Sequence, residues 1–236
     1  SLSPLLLLLT SASATHAFGR PVGFSDAIGH TNASLVMHAC NADGLLLKPK
    51  LPLAAVDATF FLDSHAAPHA LRSGHVWSTH TPLALSGGTV VNSYFVVGIG
   101  VVAPWTLLRD DLYPPLPDKQ PVITWDYFAP HQASLCEGST IADMQTPFSG
   151  GGLAFTYRVV SPLLISGWAL LGETNKFVPV SVQRGFAPTS LAAGGLKVRF
   201  SGAVGEVVEI AAWHTSSGVR WRNGVVGATG SGVVYF

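Results

Sequence analysis

Charge is scarce in this sequence. Of 236 residues, 13 are Lys or Arg and 13 are Asp or Glu, so charged residues make up 11% and the formal net charge is zero. An ordinary domain carries about 25% charged residues. A neutral chain has no field to draw it to nucleic acid or to anionic lipid, so neither is expected as a partner. A weakly charged chain is instead expected to pack against a second domain or another protein. Cysteine is also scarce. Cys40 and Cys136 are the only two. Two cysteines cannot build a structural zinc site without histidine help, and they leave either one disulfide or two free thiols. Long apolar runs are missing too. Leu5–Leu9 is brief, and Tyr94–Trp105 is broken by two glycines and a proline. A membrane-spanning helix needs about 20 apolar residues, so no span is expected.

Catalytic signatures are equally thin. No G-x-S-x-G nucleophile elbow occurs, and Gly150-Gly151-Gly152 has no Lys-Ser/Thr after it, which leaves a loop entering a strand rather than a phosphate cradle. Gly98-Ile99-Gly100-Val101-Val102-Ala103 spells a dinucleotide fingerprint, but Pro104 and Trp105 follow at once. The phosphate site needs a helix to start at those glycines, so the expected reading is glycines at a bulge or a crowded strand crossing. His65, His69, His75 and His80 lie close in sequence, yet Pro68 breaks helical spacing between the first two. They are read as histidines of a polar loop, and no metal or other cofactor is expected. His131 and Cys136 could be imagined as a nucleophilic pair, but no oxyanion site accompanies them.

What is present is β-forming. Glycine and proline supply 25 and 16 residues, and they punctuate short β-branched and aromatic runs along the whole chain. Candidate strands are Ser34–Ala39, Ala54–Phe61, His75–His80, Ser93–Val97, Pro121–Tyr127, Leu153–Val160, Trp168–Gly172, Phe177–Ser181, Leu196–Phe200, Val207–Trp213 and Val233–Phe236. Leu196-Lys197-Val198-Arg199-Phe200 alternates apolar with charged, so one face should be buried and the other wet. With Glu206–Ile210 it reads as an antiparallel hairpin. The expected fold is all-β, an antiparallel β-sandwich over 34–236, preceded by a short N-terminal helical remnant within 1–33. Leu5–Ala17 could form that helix. Pro114–Pro117 is expected to be a stiff extended loop.

Residues 1–19 admit two readings. A leucine core followed by Ala12 and Ala14 resembles a clipped signal peptide, which the sequon Asn32-Ala33-Ser34 would accompany in a secreted protein. The lack of an initiator Met and of a basic leader favours the tail of a preceding domain.

Carboxylates matter for sugar chemistry, which needs a pair of them. Asp57, Asp63, Asp110, Asp111 and Asp126 are available, and nothing in the sequence pairs them. Asp126 sits in Ile123-Thr124-Trp125-Asp126-Tyr127-Phe128, where Trp125 and Tyr127 are the candidates for stacking on a sugar ring, beside the plainer reading of strand packing.

Several segments together resemble a known setting. His38–Gly44, Lys50–Phe61 and His75–His80 are similar to the post-barrel region of eukaryotic α-galactosidase-like glycoside hydrolases, the clan of melibiases and raffinose synthase-like proteins. The most individual stretch is Ser166-Gly167-Trp168-Ala169-Leu170-Leu171-Gly172-Glu173-Thr174-Asn175-Lys176-Phe177-Val178-Pro179-Val180-Ser181, which resembles part of their C-terminal β domain. Leu5–Thr10 resembles the end of the barrel. The resemblance implies an accessory sandwich that braces a catalytic barrel, with carbohydrate as the ligand class of the parent. The family's two catalytic aspartates lie on barrel strands, so neither maps onto this sequence. Within the segment, Glu173 and Lys176 are expected to pair across a turn. The alternative is a secreted carbohydrate-binding or adhesive β module, for which six tryptophans and five tyrosines would supply ring faces.

Overall fold

The computed structural model describes residues 32–58, 75–101, 105–144, 155–192 and 194–236. The chain is all-β and sandwich-like. Its strands are β1 (Ala54–Ala55), β2 (His75–Ala84), β3 (Val90–Ile99), β4 (Thr106–Leu108), β5 (Val122–Asp126), β6 (Ala129–Cys136), β7 (Thr140–Asp143), β8 (Phe155–Pro162), β9 (Trp168–Gly172), β10 (Ala187–Ser190), β11 (Leu196–Ser201), β12 (Val207–His214), β13 (Gly218–Val225) and β14 (Ser231–Tyr235). They form a large sheet ordered β1-β2-β3-β8-β5-β6, two three-stranded sheets ordered β10-β11-β14 and β13-β12-β9, and a ribbon of β4 and β7. All the strand pairings are antiparallel.

The large sheet buries both faces. Leu83, Phe95, Val97, Ile123, Trp125, Tyr157 and Val159 face the two smaller sheets and share one core with Leu170, Phe200 and Ile210. Val76, Tyr94, Val96, Val122 and Val160 face the other way, into a second core closed by Leu107, Leu112, Leu116, Ile141 and Met144. That second layer is the β4–β7 ribbon with the 3₁₀ turn Arg109–Asp111 and the proline loop after it. Two buried faces explain why Tyr94-Phe95-Val96-Val97 is apolar without alternation, whereas β11 alternates strictly.

Arg109 ties the outer layer together. Its buried guanidinium donates to the carbonyls of Gly138 (2.6 Å), Pro117 (2.9 Å), Gln120 (2.8 Å) and Cys136 (3.4 Å). Four carbonyls answer a planar fork of donors, so three loops are held by one side chain. The Pro114–Pro117 segment is a loop as expected, pinned by Tyr94 Oη donating to Pro114 O at 2.8 Å.

Several expectations need correction. Ser34–Ala39 is not a strand. Asn32 caps a short helix, α1 (Ala33–Met37), by accepting from Ser34 N at 3.0 Å, and the local cap outweighs the β-prone composition. Phe177–Ser181 is a run of bends. Its Phe177, Val178 and Val180 are buried, but Pro179 has no N–H for a ladder, and Phe177 N donates instead to His38 O at 2.9 Å. The expected hairpin of Leu196–Phe200 with Glu206–Ile210 does not form. β11 pairs with β10 and β14, while β12 pairs with β13 and β9, so the connection passes from one sheet to another. Of Ala54–Phe61, Ala54 and Ala55 form β1 and Thr59 onward lies outside the described residues. The start of Leu153–Val160, the Gly150–Gly152 loop and the expected N-terminal helix also lie outside them. Of the glycine pair, Gly98 sits at a crowded crossing and Gly100 in open space. A Cβ on Gly98 would stand 3.3 Å from Met144 O, and Gly100 turns the chain at φ +64°.

Candidate functional site

The carboxylates that the sequence left unpaired are sorted by the fold into two places. Asp57, Asp110 and Asp111 line a cleft of about 400 Å³ beside the β1–β2 edge, with His80 in its wall and Tyr113 at its rim. Asp126 lies on the outer face near the opposite edge of the large sheet, where its Oδ2 meets Arg158 Nη1 at 3.4 Å. Asp63 is outside the described residues.

The cleft is built by the 3₁₀ turn. Asp111 reaches back so that its Oδ2 accepts from Leu108 N at 2.8 Å, which fixes Asp110 and Asp111 on one turn. Burial pushes the Asp111 carboxyl above the usual carboxylate range, and Asp110 beside it adds in the same direction. His80 is buried against Tyr94, with ring centroids 6.1 Å apart. Burial holds its imidazole below the ordinary value, against a backbone hydrogen bond at Tyr113 that raises it, and Lys50 adds to the lowering. Tyr113 is 72% exposed and carries the free ring face of this cleft. The cleft thus places three carboxylates, the hydroxyls of Ser78 and Thr79 and an exposed ring around one concavity.

The candidates for sugar stacking lie elsewhere and point inward. Trp125 is 1% exposed, and its indole donates to Ser161 Oγ at 3.4 Å. Tyr127 is 8% exposed and stacks on Tyr157 at 4.8 Å. Burial raises both phenols, and Tyr157 donates to Phe177 O at 2.7 Å. Neither Trp125 nor Tyr127 offers a face to solvent, so their role is strand packing. The physical reason is that the alternation of β5 puts Ile123 and Trp125 on the inner face.

Histidines and cysteines also separate. His75 and His80 lie five residues apart on β2, an odd spacing that sends them to opposite faces, while His65 and His69 are outside the described residues. Among the described residues no group of three His, Cys, Asp or Glu side chains is placed to hold a metal. Cys40 and Cys136 are both free. Cys40 Sγ donates to Val36 O at 3.4 Å and Cys136 Sγ to Ile141 O at 3.3 Å. Burial pushes the Cys136 thiol up, which disfavours a thiolate. Thiol titration should therefore count two groups in denaturant and markedly slower reaction in the folded protein. An intact disulfide on non-reducing mass analysis would contradict the fold.

A second set of charged residues had no signature in the sequence. Arg184, 1% exposed, donates to Glu173 at 2.6 and 2.9 Å and to Glu206 at two sites, both 2.7 Å. Glu206 also accepts from Ala203 N and Ala42 N, each at 3.0 Å. Glu173 thus pairs with Arg184 and not with Lys176, whose Nζ donates to the carbonyls of Met37 (2.7 Å) and Cys40 (2.8 Å). Burial disfavours the guanidinium charge, yet the two carboxylates hold Arg184 above its ordinary range. The triad ties four chain segments together and is structural.

No described helix is long and apolar enough to cross a membrane. No family model matches this sequence, and no curated protein matches it either.

Proposed function

We propose that this chain is the accessory C-terminal β-sandwich of an α-galactosidase-like glycoside hydrolase, bracing a catalytic barrel that the parent protein carries elsewhere. The observation that supports this reading is the use made of Ser166–Ser181, the stretch with the most individual resemblance. Trp168, Leu170, Leu171, Phe177, Val178 and Val180 are all in the main core, and Glu173 anchors the buried ion triad. The segment acts as a frame, as an accessory domain requires.

Exposed apolar side chains are the candidates for the docking face. Met37, Leu45 and Leu51 are 42%, 53% and 42% exposed, and Val182, 40% exposed, sits on a turn whose N–H donates to Lys48 O at 2.9 Å. Apolar side chains exposed along one connected segment suit a covering partner.

Three measurements test the reading. The full coding sequence should contain an upstream barrel with paired aspartates. The longer protein should hydrolyse an aryl α-galactoside that the 236-residue chain leaves intact. Leu45→Glu should leave the thermal midpoint of the isolated chain within a degree or so, since it is exposed, yet lower that of the longer protein. Hydrolysis by the chain alone, or an upstream sequence without a barrel, would overturn it.

A further inference from the structure

One motif of the sequence has no part in the bracing role. Asn32-Ala33-Ser34 is the only Asn-x-Ser/Thr triplet in the 236 residues. All three of its residues are exposed. Asn32 Oδ1 accepts from Ser34 N at 3.0 Å and from Ser34 Oγ at 2.7 Å. The hydroxyl therefore reaches the side-chain amide within the triplet itself. Among the described residues nothing hydrogen-bonds to Asn32 Nδ2.

The two ends of this amide have separate roles. Oδ1 caps α1, and a substituent on Nδ2 leaves that oxygen free to accept, so the cap persists beneath it. The segment is also held in place, because Lys176 Nζ donates to Met37 O at 2.7 Å and Phe177 N donates to His38 O at 2.9 Å. Asn41 shows what the triplet adds. Its Oδ1 likewise accepts locally, from Asp43 N at 3.1 Å and Leu45 N at 2.8 Å. Asn41 is buried, however, and Asp43 stands where the triplet needs a hydroxyl.

We propose that Asn32 is an N-glycan acceptor, modified by an oligosaccharide transferase of the secretory lumen. The donor is an oligosaccharide linked to a lipid pyrophosphate. Asn32 Nδ2 forms a bond to the anomeric carbon of the sugar. The bond from that carbon to the pyrophosphate oxygen breaks, and the lipid pyrophosphate leaves with the electron pair. One Nδ2 proton passes to a base of the transferase. The product adds hydrophilic bulk to a chain with only 11% charged residues. Met37, 42% exposed, lies five residues on, about 8 Å along the axis of α1 and within reach of a glycan at its start. This site does not depend on the bracing role, which fixes no compartment.

The test secretes the full chain from cultured eukaryotic cells behind a cleavable leader, which supplies entry to the lumen, and reads the peptide carrying Asn32 by mass spectrometry. Most of the secreted chain is expected to carry a glycan there, and peptide N-glycosidase should remove it and leave aspartate. Ser34→Thr should keep the modification. Ser34→Ala should abolish it while the protein stays folded, because the cap bond comes from the backbone N–H of residue 34 and survives. Enzymatic removal of the glycan should leave the thermal midpoint unchanged, since aspartate caps a helix as well as asparagine does. An unmodified Asn32 in the secreted parent, or a glycan that persists in folded Ser34→Ala, would each overturn the proposal.

Discussion

Replacing Arg184 with methionine is expected to lower the unfolding free energy by about 3–5 kcal/mol, read from urea or thermal denaturation of the purified chain. Glu173 and Glu206, with side chains 2% and 9% exposed, would then face each other without their shared cation. Methionine fills much of the volume, so most of the loss is electrostatic. A typical domain has only about 5–15 kcal/mol in total, so the effect is a large fraction of its stability. Arg184→Lys should recover only part of the loss. A lysine offers one compact charge, whereas the arginine fork donates to both carboxylates at once.

The triad also sets an acid response. Burial pushes the Glu206 carboxyl up, but its hydrogen bonds from Arg184 and from the Ala203 and Ala42 N–H groups outweigh this and hold it below the ordinary range. A carboxyl with a depressed folded pKa contributes stability above its unfolded pKa, near 4.3, and loses that contribution as the pH falls through the folded value. Glu173 acts in the opposite sense. Burial raises its carboxyl despite Arg184, so its contribution is present at low pH and declines as the pH rises. Glu206→Gln should therefore flatten the fall in stability below about pH 4.3, and Glu173→Gln should not. An unchanged acid limb in Glu206→Gln would refute the assignment.

Gly172→Ala is expected to cost about 3–5 kcal/mol, combining backbone strain with overpacking. Gly172 has φ +83°, a region that L side chains adopt only under strain. Its Cβ would fall on the carbonyl of Pro179 and within 2.8 Å of Val180 Cγ2. The obstacle is backbone, so no rotamer change relieves it. Pro179 O also accepts from Glu173 N at 2.8 Å, and displacing it disturbs the carboxylate that holds Arg184. The losses from Gly172→Ala and Arg184→Met should accordingly fall short of additivity in a double-mutant cycle. Strict additivity would show that the turn and the ion triad are independent.

The sequence by itself determined the all-β class and the interior strands. β2, β3, β5, β8, β11 and β12 carry runs or alternations of apolar residues because each is flanked by strands on both sides and packed on at least one face, and burial of that kind leaves a mark on composition. β4, β6, β7, β10 and β13 left no such mark. Each lies at a sheet edge or in the two-stranded ribbon, where half the backbone faces away from a partner and the side chains are free to be polar. Gly172 could be read as a turn glycine from the sequence, but its neighbour across the turn could not. Tertiary structure alone decided the charged pairings and the sites. Glu173 meets Arg184 and not Lys176, and Asp57 joins Asp110 and Asp111. Those partners are far apart along the chain or on different strands, and only sheet order and register bring them together. A local pattern records which face a residue occupies, whereas the identity of its neighbour depends on long-range pairing, which has no local period to read.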